Sequence, residues 1–173
     1  MQSPSHSSLF VLGGARSGKS RYAQQRAEAL PGELVFVATA QALDEEMAAR
    51  IARHRDDRGP RWRTVEAPLD IAAAIEAEAR AGSVVLVDCL TLWASNLMFA
   101  EQDHRHAAEA LVRALAEASS PVVLVANEVG LGIVPDNALA RRFRDVAGEI
   151  NQIVAAAASE AVFLAAGLPL RLK

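Results

Sequence analysis

The sequence predicts an α/β fold in which a mainly parallel β-sheet is covered by helices on both faces. Short apolar runs alternate with segments of helical spacing along the chain, which is typical of right-handed βαβ units. Of the 173 residues, 51% are apolar and 23% are charged, a composition that suits a well-packed core. We expect a single domain over residues 1–173, with residues 1–8 as a flexible tail.

Short apolar runs, most of them bounded by glycine, proline or an acidic residue, predict the strands of this sheet. The run that ends at Gly13 and the valine-rich run that ends at Asp88 are typical of buried parallel strands. In chain order the predicted strands cover residues 9–12, 34–38, 62–66, 84–87, 121–126, 161–165 and 168–172.

Helices are predicted where apolar residues recur three and four positions apart. Pro31 ends the first helix, and Pro68 opens the third. Met47, Ala48 and Ile51 form the apolar face of the second. In chain order the predicted helices cover residues 17–30, 44–55, 68–79, 91–100, 106–118 and 138–158.

Ligands of parallel sheets bind outside the carboxyl ends of the strands. The residues that directly follow a predicted strand are therefore the candidates for a binding site. They cover residues 13–20, 39–41, 88–91 and 127–135.

The segment GGARSGKS, which begins at Gly13, lies between a predicted strand and a predicted helix. Its glycines let the main chain curl so that several N–H groups point at one anion, and the helix N-terminus adds partial positive charge. We expect Lys19 to reach the β- and γ-phosphates and Ser20 to ligate Mg²⁺. The motif in this context predicts a P-loop NTPase-like fold that binds a nucleoside triphosphate.

Asp88 follows the strand at 84–87 and is the candidate for the second Mg²⁺ ligand, since P-loop enzymes place an acid at the end of a neighbouring strand. An aspartate in this position can also serve only as the cap of the next helix. The sequence leaves both roles open.

His54 lies between Arg53 and Arg55 in the second predicted helix. A neutral imidazole is a competent nucleophile at phosphorus, and neighbouring arginines suit an approaching triphosphate. From the spacing alone, a solvated histidine on a basic helix is the better-supported interpretation.

Five blocks occur in the order found in one known family. They are GGARSGKS, the stretch from Ala38 to Arg55 with ATA, DEEMAARI and RHR, then WRTVEAP, VDCLTLW and NEVGLGIVP. Together they resemble the bifunctional adenosylcobinamide kinase / adenosylcobinamide-phosphate guanylyltransferase family of cobalamin biosynthesis. The resemblance covers residues 9 to about 151 of the chain.

The resemblance implies two activities. One phosphorylates the aminopropanol hydroxyl of adenosylcobinamide, a corrinoid, with ATP or GTP. The other transfers GMP from GTP through a covalent histidine intermediate, giving adenosylcobinamide-GDP and pyrophosphate. It also implies a homo-oligomer, with a trimer as the expected form.

The resemblance implies residue roles as well. His54 ends the Arg-Ile-x-x-His stretch and is the implied nucleophile. The implied nucleotide-binding residues are Gly13, Gly14, Ala15, Arg16, Ser17, Gly18, Lys19, Ser20, Thr39, Ala40, Gln41, Arg55, Asp56, Asp57, Arg58, Glu66 and Asp88. Ser20 and Asp88 are also the expected metal ligands.

Composition argues against several other classes of protein. The net charge is −3, whereas nucleic-acid binders usually have a basic surface, so we expect no nucleic-acid partner. No apolar stretch has the length of a membrane span, and we therefore expect a cytoplasmic protein. Cys89 is the only cysteine, which excludes an internal disulfide. Two alternatives stay open, a simple P-loop kinase of another small metabolite and a nucleotide-dependent regulatory binding protein.

We also expect the second helix to be mobile. If its apolar face packs on the domain, His54 lies at the helix end, too far from the P-loop for in-line attack. Binding of GTP would then have to move residues 44–58 and assemble the transferase site, as in induced fit.

Overall fold

The computed structural model describes residues 7–42 and 44–173, without the side chains of Arg50 and Asp57. The described strands form one β-sheet. They are β1 (Ser8–Gly13), β2 (Glu33–Ala38), β3 (Trp62–Glu66), β4 (Ser83–Asp88), β5 (Val122–Asn127), β6 (Glu160–Ala165) and β7 (Leu168–Arg171). Their order across the sheet is β3-β2-β4-β5-β1-β6-β7.

The predicted mainly parallel sheet is confirmed, since every strand pair except β6 with β7 is parallel. β5 lies between β1 and β4, so it separates the strand before the P-loop from the strand that ends at Asp88. Ser8 is a buried residue of β1, so the tail expected at residues 1–8 ends before it. Residues 1–6 of that tail lie outside the described residues.

The described helices match the predicted ones in number and order. They are α1 (Lys19–Glu28), α2 (Glu45–Arg58), α3 (Ile71–Glu78), α4 (Leu90–Phe99), α5 (His104–Glu117) and α6 (Ala138–Ala157). None of them is long and apolar enough to cross a membrane.

Capping residues explain three of the helix boundaries that differ from the predictions. α3 begins at Ile71 rather than at 68, because the carboxylate of Asp70 accepts the N–H of Ala73 at 3.1 Å. α5 begins two residues earlier than predicted, because Asp103 caps it in the same way. α2 runs to Arg58 rather than to 55 and ends at Gly59, whose φ of 78° is one that glycine adopts readily.

Helices cover both faces of the sheet, as predicted, but unequally. α3, α4, α5 and α6 pack on one face, in a core centred on Phe10, Val87, Trp93 and Leu111. On the other face α1 packs on the second core, through side chains such as Ala23. The alternating side chains of β1, β2, β4 and β5 therefore enter different cores, which is the reason that these central strands are almost entirely apolar.

α2 differs from the other helices because none of its described side chains is buried. Met47 and Ile51 are only half-buried and Ala48 is exposed. The apolar face predicted for this helix therefore joins neither core.

Candidate active site

The main-chain conformation of the loop between β1 and α1 requires glycine at two positions, Gly13 and Gly18. A Cβ atom on Gly13 would lie 2.5 Å from Ser17 Oγ and 2.8 Å from the carbonyl oxygen of Leu164. Gly18 has φ 91° and Arg16 has φ 54°, both in the left-handed region. The chain therefore turns tightly back over the end of β1 before α1 begins.

Gly14 has no such local constraint. A Cβ atom there would meet no other atom within 4 Å. The absence of a side chain leaves open space beside the loop, and a ligand could approach the main chain closely there.

The N-terminus of α1 has no side-chain cap and no acidic residue in its first turn. In contrast, α2, α3, α5 and α6 are capped by Asp44, Asp70, Asp103 and Asn137. The first N–H groups of α1 and their partial positive charge are therefore not neutralised by a side chain, which is the condition for binding an anion. Lys19 lies in the same turn and donates to the carbonyl of Gly14 at 3.2 Å.

The reversal between β6 and β7 supports this loop from the side. The N–H of Gly167 donates to the carbonyl of Ser17 at 2.8 Å, and a Cβ on Gly18 would lie 3.2 Å from Gly167 Cα. No local sequence pattern predicts this contact, because the two bonded residues are about 150 positions apart in the chain.

Asp88 lies beside the loop, and its environment has two opposing effects. Burial raises the pKa of its carboxyl group above the usual value. A hydrogen bond from Ser20 and the charges of Lys19, His54 and Arg58 act in the opposite direction without cancelling it. The two predicted metal ligands, Ser20 and Asp88, therefore lie near each other, with cations close to Asp88.

The sheet register aligns several strand ends at this edge. Ala38 pairs with both Asp88 and Glu66, and Gly13 pairs with Asn127. Glu66, an exposed residue, therefore lies two strands away from Asp88, at the outer strand of the sheet.

Asn127 is the first residue of the candidate segment 127–135 and lies at the end of β5. Its N–H donates to Thr91 Oγ1 at 2.7 Å, but its side-chain Oδ1 is buried without a hydrogen-bond partner. Ser17 Oγ is buried and unpaired in the same way. Orphaned buried polar atoms cost free energy, so both oxygens are available to a ligand or water that the site takes up.

α2 reaches the site through its C-terminal turn. Arg58 lies over the ring of Phe36 with its guanidinium carbon 3.5 Å from the ring centroid, a cation–π contact. Burial and the charge of Arg55 lower the pKa of Arg58, and the charge of Asp88 opposes them. Arg58 Nε is buried without a partner. His54 is exposed on the same helix, near enough for its charge to act on Asp88.

The three residues after β2 have different environments. The hydroxyl of fully buried Thr39 donates to the carbonyl of Cys89 at 2.8 Å and accepts its N–H at 2.9 Å, so this side chain joins two strand ends. Ala40 is half-buried and Gln41 is exposed. Of the remaining predicted residues, Asp56 is exposed and the side chain of Asp57 lies outside the described part of the chain.

Cys89 is not a reactive thiol. Burial, followed by the charge of Asp88, raises its pKa to about 11. Its sulfur accepts the N–H of Leu92 at 3.4 Å at the start of α4.

Solved structures with the same fold are distant in sequence. The flagellar accessory protein FlaH of Methanocaldococcus jannaschii is similar over 96% of this chain and 78% of its own, with a TM-score of 0.53 and 13% identity. A solved ATPase domain is similar over 92% of this chain and 69% of its own, with a TM-score of 0.51 and 12% identity. At this level of identity the similarity concerns the fold, which is that of P-loop NTPases.

Sequence relatives are far closer. The bifunctional adenosylcobalamin biosynthesis protein CobP of Pseudomonas aeruginosa is 47% identical over 166 residues, which cover 95% of this chain and 96% of the relative. Proteins called CobU, with the same description, are 42% identical in Escherichia coli and 43% identical in Salmonella typhimurium, each over 95% of this chain and 99% of the relative.

Residues 9–172 match the family described as cobinamide kinase / cobinamide phosphate guanyltransferase. That match and the close relatives agree with the fold and with the loop built around Gly13 and Lys19. The chain therefore belongs to the cobinamide kinase / cobinamide phosphate guanyltransferase family and is an enzyme of cobalamin biosynthesis.

Proposed function

We propose that the loop at residues 13–20 binds the phosphates of ATP or GTP for both reactions of this enzyme. The observation that carries the proposal is the uncapped N-terminus of α1 beside Lys19, with Asp88 near Ser20. Open space at Gly14 and the left-handed turn at Arg16 and Gly18 support close approach of phosphate oxygens to the main chain.

In the kinase reaction, the aminopropanol hydroxyl of adenosylcobinamide attacks the γ-phosphorus. The hydroxyl gives up its proton, a P–O bond forms, and the bond to the leaving ADP or GDP breaks. Lys19 and the main-chain N–H groups stabilise the negative charge that develops on the phosphate oxygens.

In the transferase reaction, an imidazole nitrogen of His54 attacks the α-phosphorus of GTP. An N–P bond forms, and pyrophosphate leaves with the electron pair of the broken P–O bond. A phosphate oxygen of adenosylcobinamide phosphate then attacks the same phosphorus, the N–P bond breaks, and adenosylcobinamide-GDP is released. His54 is exposed on α2, the helix whose last turn carries Arg58 near Asp88, and this position supports the role.

The oxygen atoms of Ser20 and Asp88 fit Mg²⁺, which prefers hard oxygen ligands and takes few of them from protein. When bound, the ion would supply positive charge that neutralises the phosphates. We propose these two residues as its protein ligands.

Other nucleotide contacts follow from position. Arg55 and Arg58 supply cations on α2, with Asp56 and Asp57 between them, and Ala15 and Ser17 supply main-chain groups of the loop. Ala40 and Gln41 border the site as main chain after β2. Glu66 is the outermost candidate. We assign Thr39 a positioning role, because its hydroxyl is already bonded to Cys89.

The decisive experiment uses GTP labelled at the α-phosphate, followed by denaturation and mass measurement. We expect a GMP adduct on the wild-type protein, stable to base and labile to acid as a phosphoramidate is, and none on His54→Asn. His106→Asn, which changes another exposed histidine, is the matched control. An undiminished adduct in His54→Asn would assign the nucleophile to another residue.

The variant Lys19→Ala tests the proposed phosphate site independently of the proposed nucleophile, His54. We expect weak triphosphate binding and loss of both activities, because the triphosphate and the leaving group of each reaction lose their principal side-chain cation. Full transferase activity in this variant would contradict the phosphate site proposed here.

We further propose a cytoplasmic homo-oligomer, with a trimer as the expected form. The metabolic nucleotides that the enzyme uses support the location. The exposed leucines of β7 support the association of subunits.

A further inference from the structure

A groove of about 440 Å³ lies between the first turn of α2, the residues after β2, and α4. Met47 and Gln41 lie on one side, with Leu92, Asn96 and Phe99 of α4 and Leu69 of the preceding loop around them. Of the residues that line it, only Ala40 and Gln41 have a role in the function proposed above, through their main chain.

The lining of the groove is mostly apolar, and its polar residues, Gln41, Ser95 and Asn96, are uncharged. Phe99 is 74% exposed and Leu92 is 39% exposed, although both are large apolar side chains. None of the described residues that line the groove is ionisable, in a chain in which 23% of residues are charged. Such a surface does not suit phosphate groups and does suit a large ligand without anionic groups on its ring.

The groove is connected to the phosphate site by hydrogen bonds. The side-chain amide of Asn96 donates to the carbonyl of Thr39 and to that of Pro68, both at 2.8 Å. Thr39 is in turn bonded to Cys89, which follows Asp88 in the chain. These hydrogen bonds therefore fix the position of α4, which forms one wall of the groove, relative to Asp88, the predicted metal ligand.

α2 links the groove to the proposed nucleophile. Met47 and His54 are seven residues apart, so they lie on nearly the same face of the helix and about 10 Å apart along its axis. A ligand that rests on Met47 would have to extend along this face to reach His54.

We propose that this groove binds the corrin ring of the cobinamide substrate, an inference that rests on the function proposed above. The ring has apolar faces, a rim of neutral carboxamides and a long aminopropanol arm. The apolar side chains would pack against the ring, while Gln41 and the oxygen of the Asn96 amide would bond the rim amides. The arm would run along α2 and present its hydroxyl or phosphate at the phosphate site.

Three variants test the groove directly. Phe99→Ala and Leu92→Ala remove exposed contact surface, and Ser95→Trp fills the space between the walls. We expect the Kd for adenosylcobinamide to rise about tenfold or more in Phe99→Ala and Ser95→Trp, since an apolar anchor or the space itself is lost. Equilibrium dialysis, with the bound corrinoid measured by its visible absorbance, gives this constant.

Binding of a fluorescent GTP analogue and thermal melting are measured on the same proteins. We expect both to be unchanged, because the altered side chains are at the surface and away from the phosphates. Leu139→Ala is the matched control, since Leu139 is also an exposed leucine but lies outside the groove. Its affinity for the corrinoid should equal that of the wild type.

The outcomes separate this inference from the proposed function. If the wild type binds and phosphorylates adenosylcobinamide while Ser95→Trp does so equally well, the groove assignment is wrong and the function stands. If the wild type neither binds nor phosphorylates it, both are wrong. If the groove variants change the molecular mass of the assembly in light scattering, the groove is a contact between subunits and not the corrinoid site.

Discussion

Asp88 lies at the end of a central strand, where burial raises the pKa of its carboxyl group. A raised pKa means that the folded state holds the proton more tightly than the unfolded state does. The contribution of this carboxyl group to the free energy of unfolding is therefore favourable below its unfolded pKa and is lost as the pH rises through its folded pKa. At a pH above the folded pKa and without nucleotide, ionised Asp88 destabilises the fold, although Lys19 and Arg58 lie near it.

We predict that Asp88→Asn stabilises the ligand-free protein at neutral pH while it abolishes turnover. A gain of about 1 kcal/mol from removing the buried charge would raise the Tm by about 2–4 °C for a chain of this size. Thermal melts at pH 7 and at pH 4 check this, since the difference should shrink as the carboxyl group becomes protonated. A lower Tm at pH 7 would show that the neighbouring cations outweigh burial.

At the scale of elements, α1 is joined to β6 by a bidentate ion pair. Arg26 donates to both oxygens of Glu160, at 3.1 and 2.8 Å, and this pair lowers the pKa of Glu160. The P-loop helix is thereby attached to the strand that leads to Gly167, the residue that supports the loop.

We predict that Glu160→Gln lowers the free energy of unfolding by about 1 kcal/mol or less, because both side chains are partly exposed to solvent. A lowered carboxyl pKa contributes stability above the unfolded pKa, and this is lost as the pH falls through the folded value. The difference in urea unfolding between wild type and variant should therefore be present at pH 7 and vanish at acid pH. Asp145→Asn, which removes an exposed pair between adjacent residues, is the control.

α2 carries the proposed nucleophile but has no buried side chain among those described, and its C-terminal end contacts the sheet through Arg58 on Phe36. Few buried contacts allow a helix to open at low free energy. We predict that the amides of α2 exchange with deuterium quickly in the ligand-free protein and more slowly with GTP. α4, which buries Trp93 and Leu97, should change little. Slow exchange of α2 without GTP would show that the site is preformed.

At the scale of the whole molecule, β7 and the residue after it expose three leucines at the edge of the sheet, Leu168, Leu170 and Leu172. Apolar side chains on an open sheet edge favour association with another chain. We predict that the wild type is a homo-oligomer in light scattering and that Leu168→Glu with Leu170→Glu shifts it to smaller species. An unchanged mass would place the subunit contact elsewhere.

Local sequence was sufficient to predict the order of strands and helices along the chain and the position of the P-loop motif. These depend on periodicity and on glycine and proline positions, which are properties of neighbouring residues. The helix starts at Ile71 and His104 were misplaced by two or three residues, since an aspartate cap overrides the start suggested by apolar spacing. For Asn127 the sequence predicted only a place within the candidate segment 127–135. The burial of its unpaired side-chain oxygen depends on the strands that flank β5, and these are distant in sequence.

The sequence by itself determined the fold class and the family, because these depend on local periodicity and on short contiguous blocks such as GGARSGKS. Only the tertiary structure decided which residues meet across the chain. It brought Ser20 to Asp88, Gly167 to Ser17 and Arg58 to Phe36, and it left the apolar face of α2 outside both cores. Strand order and helix packing set these contacts, and residues distant in sequence carry no local signal of them.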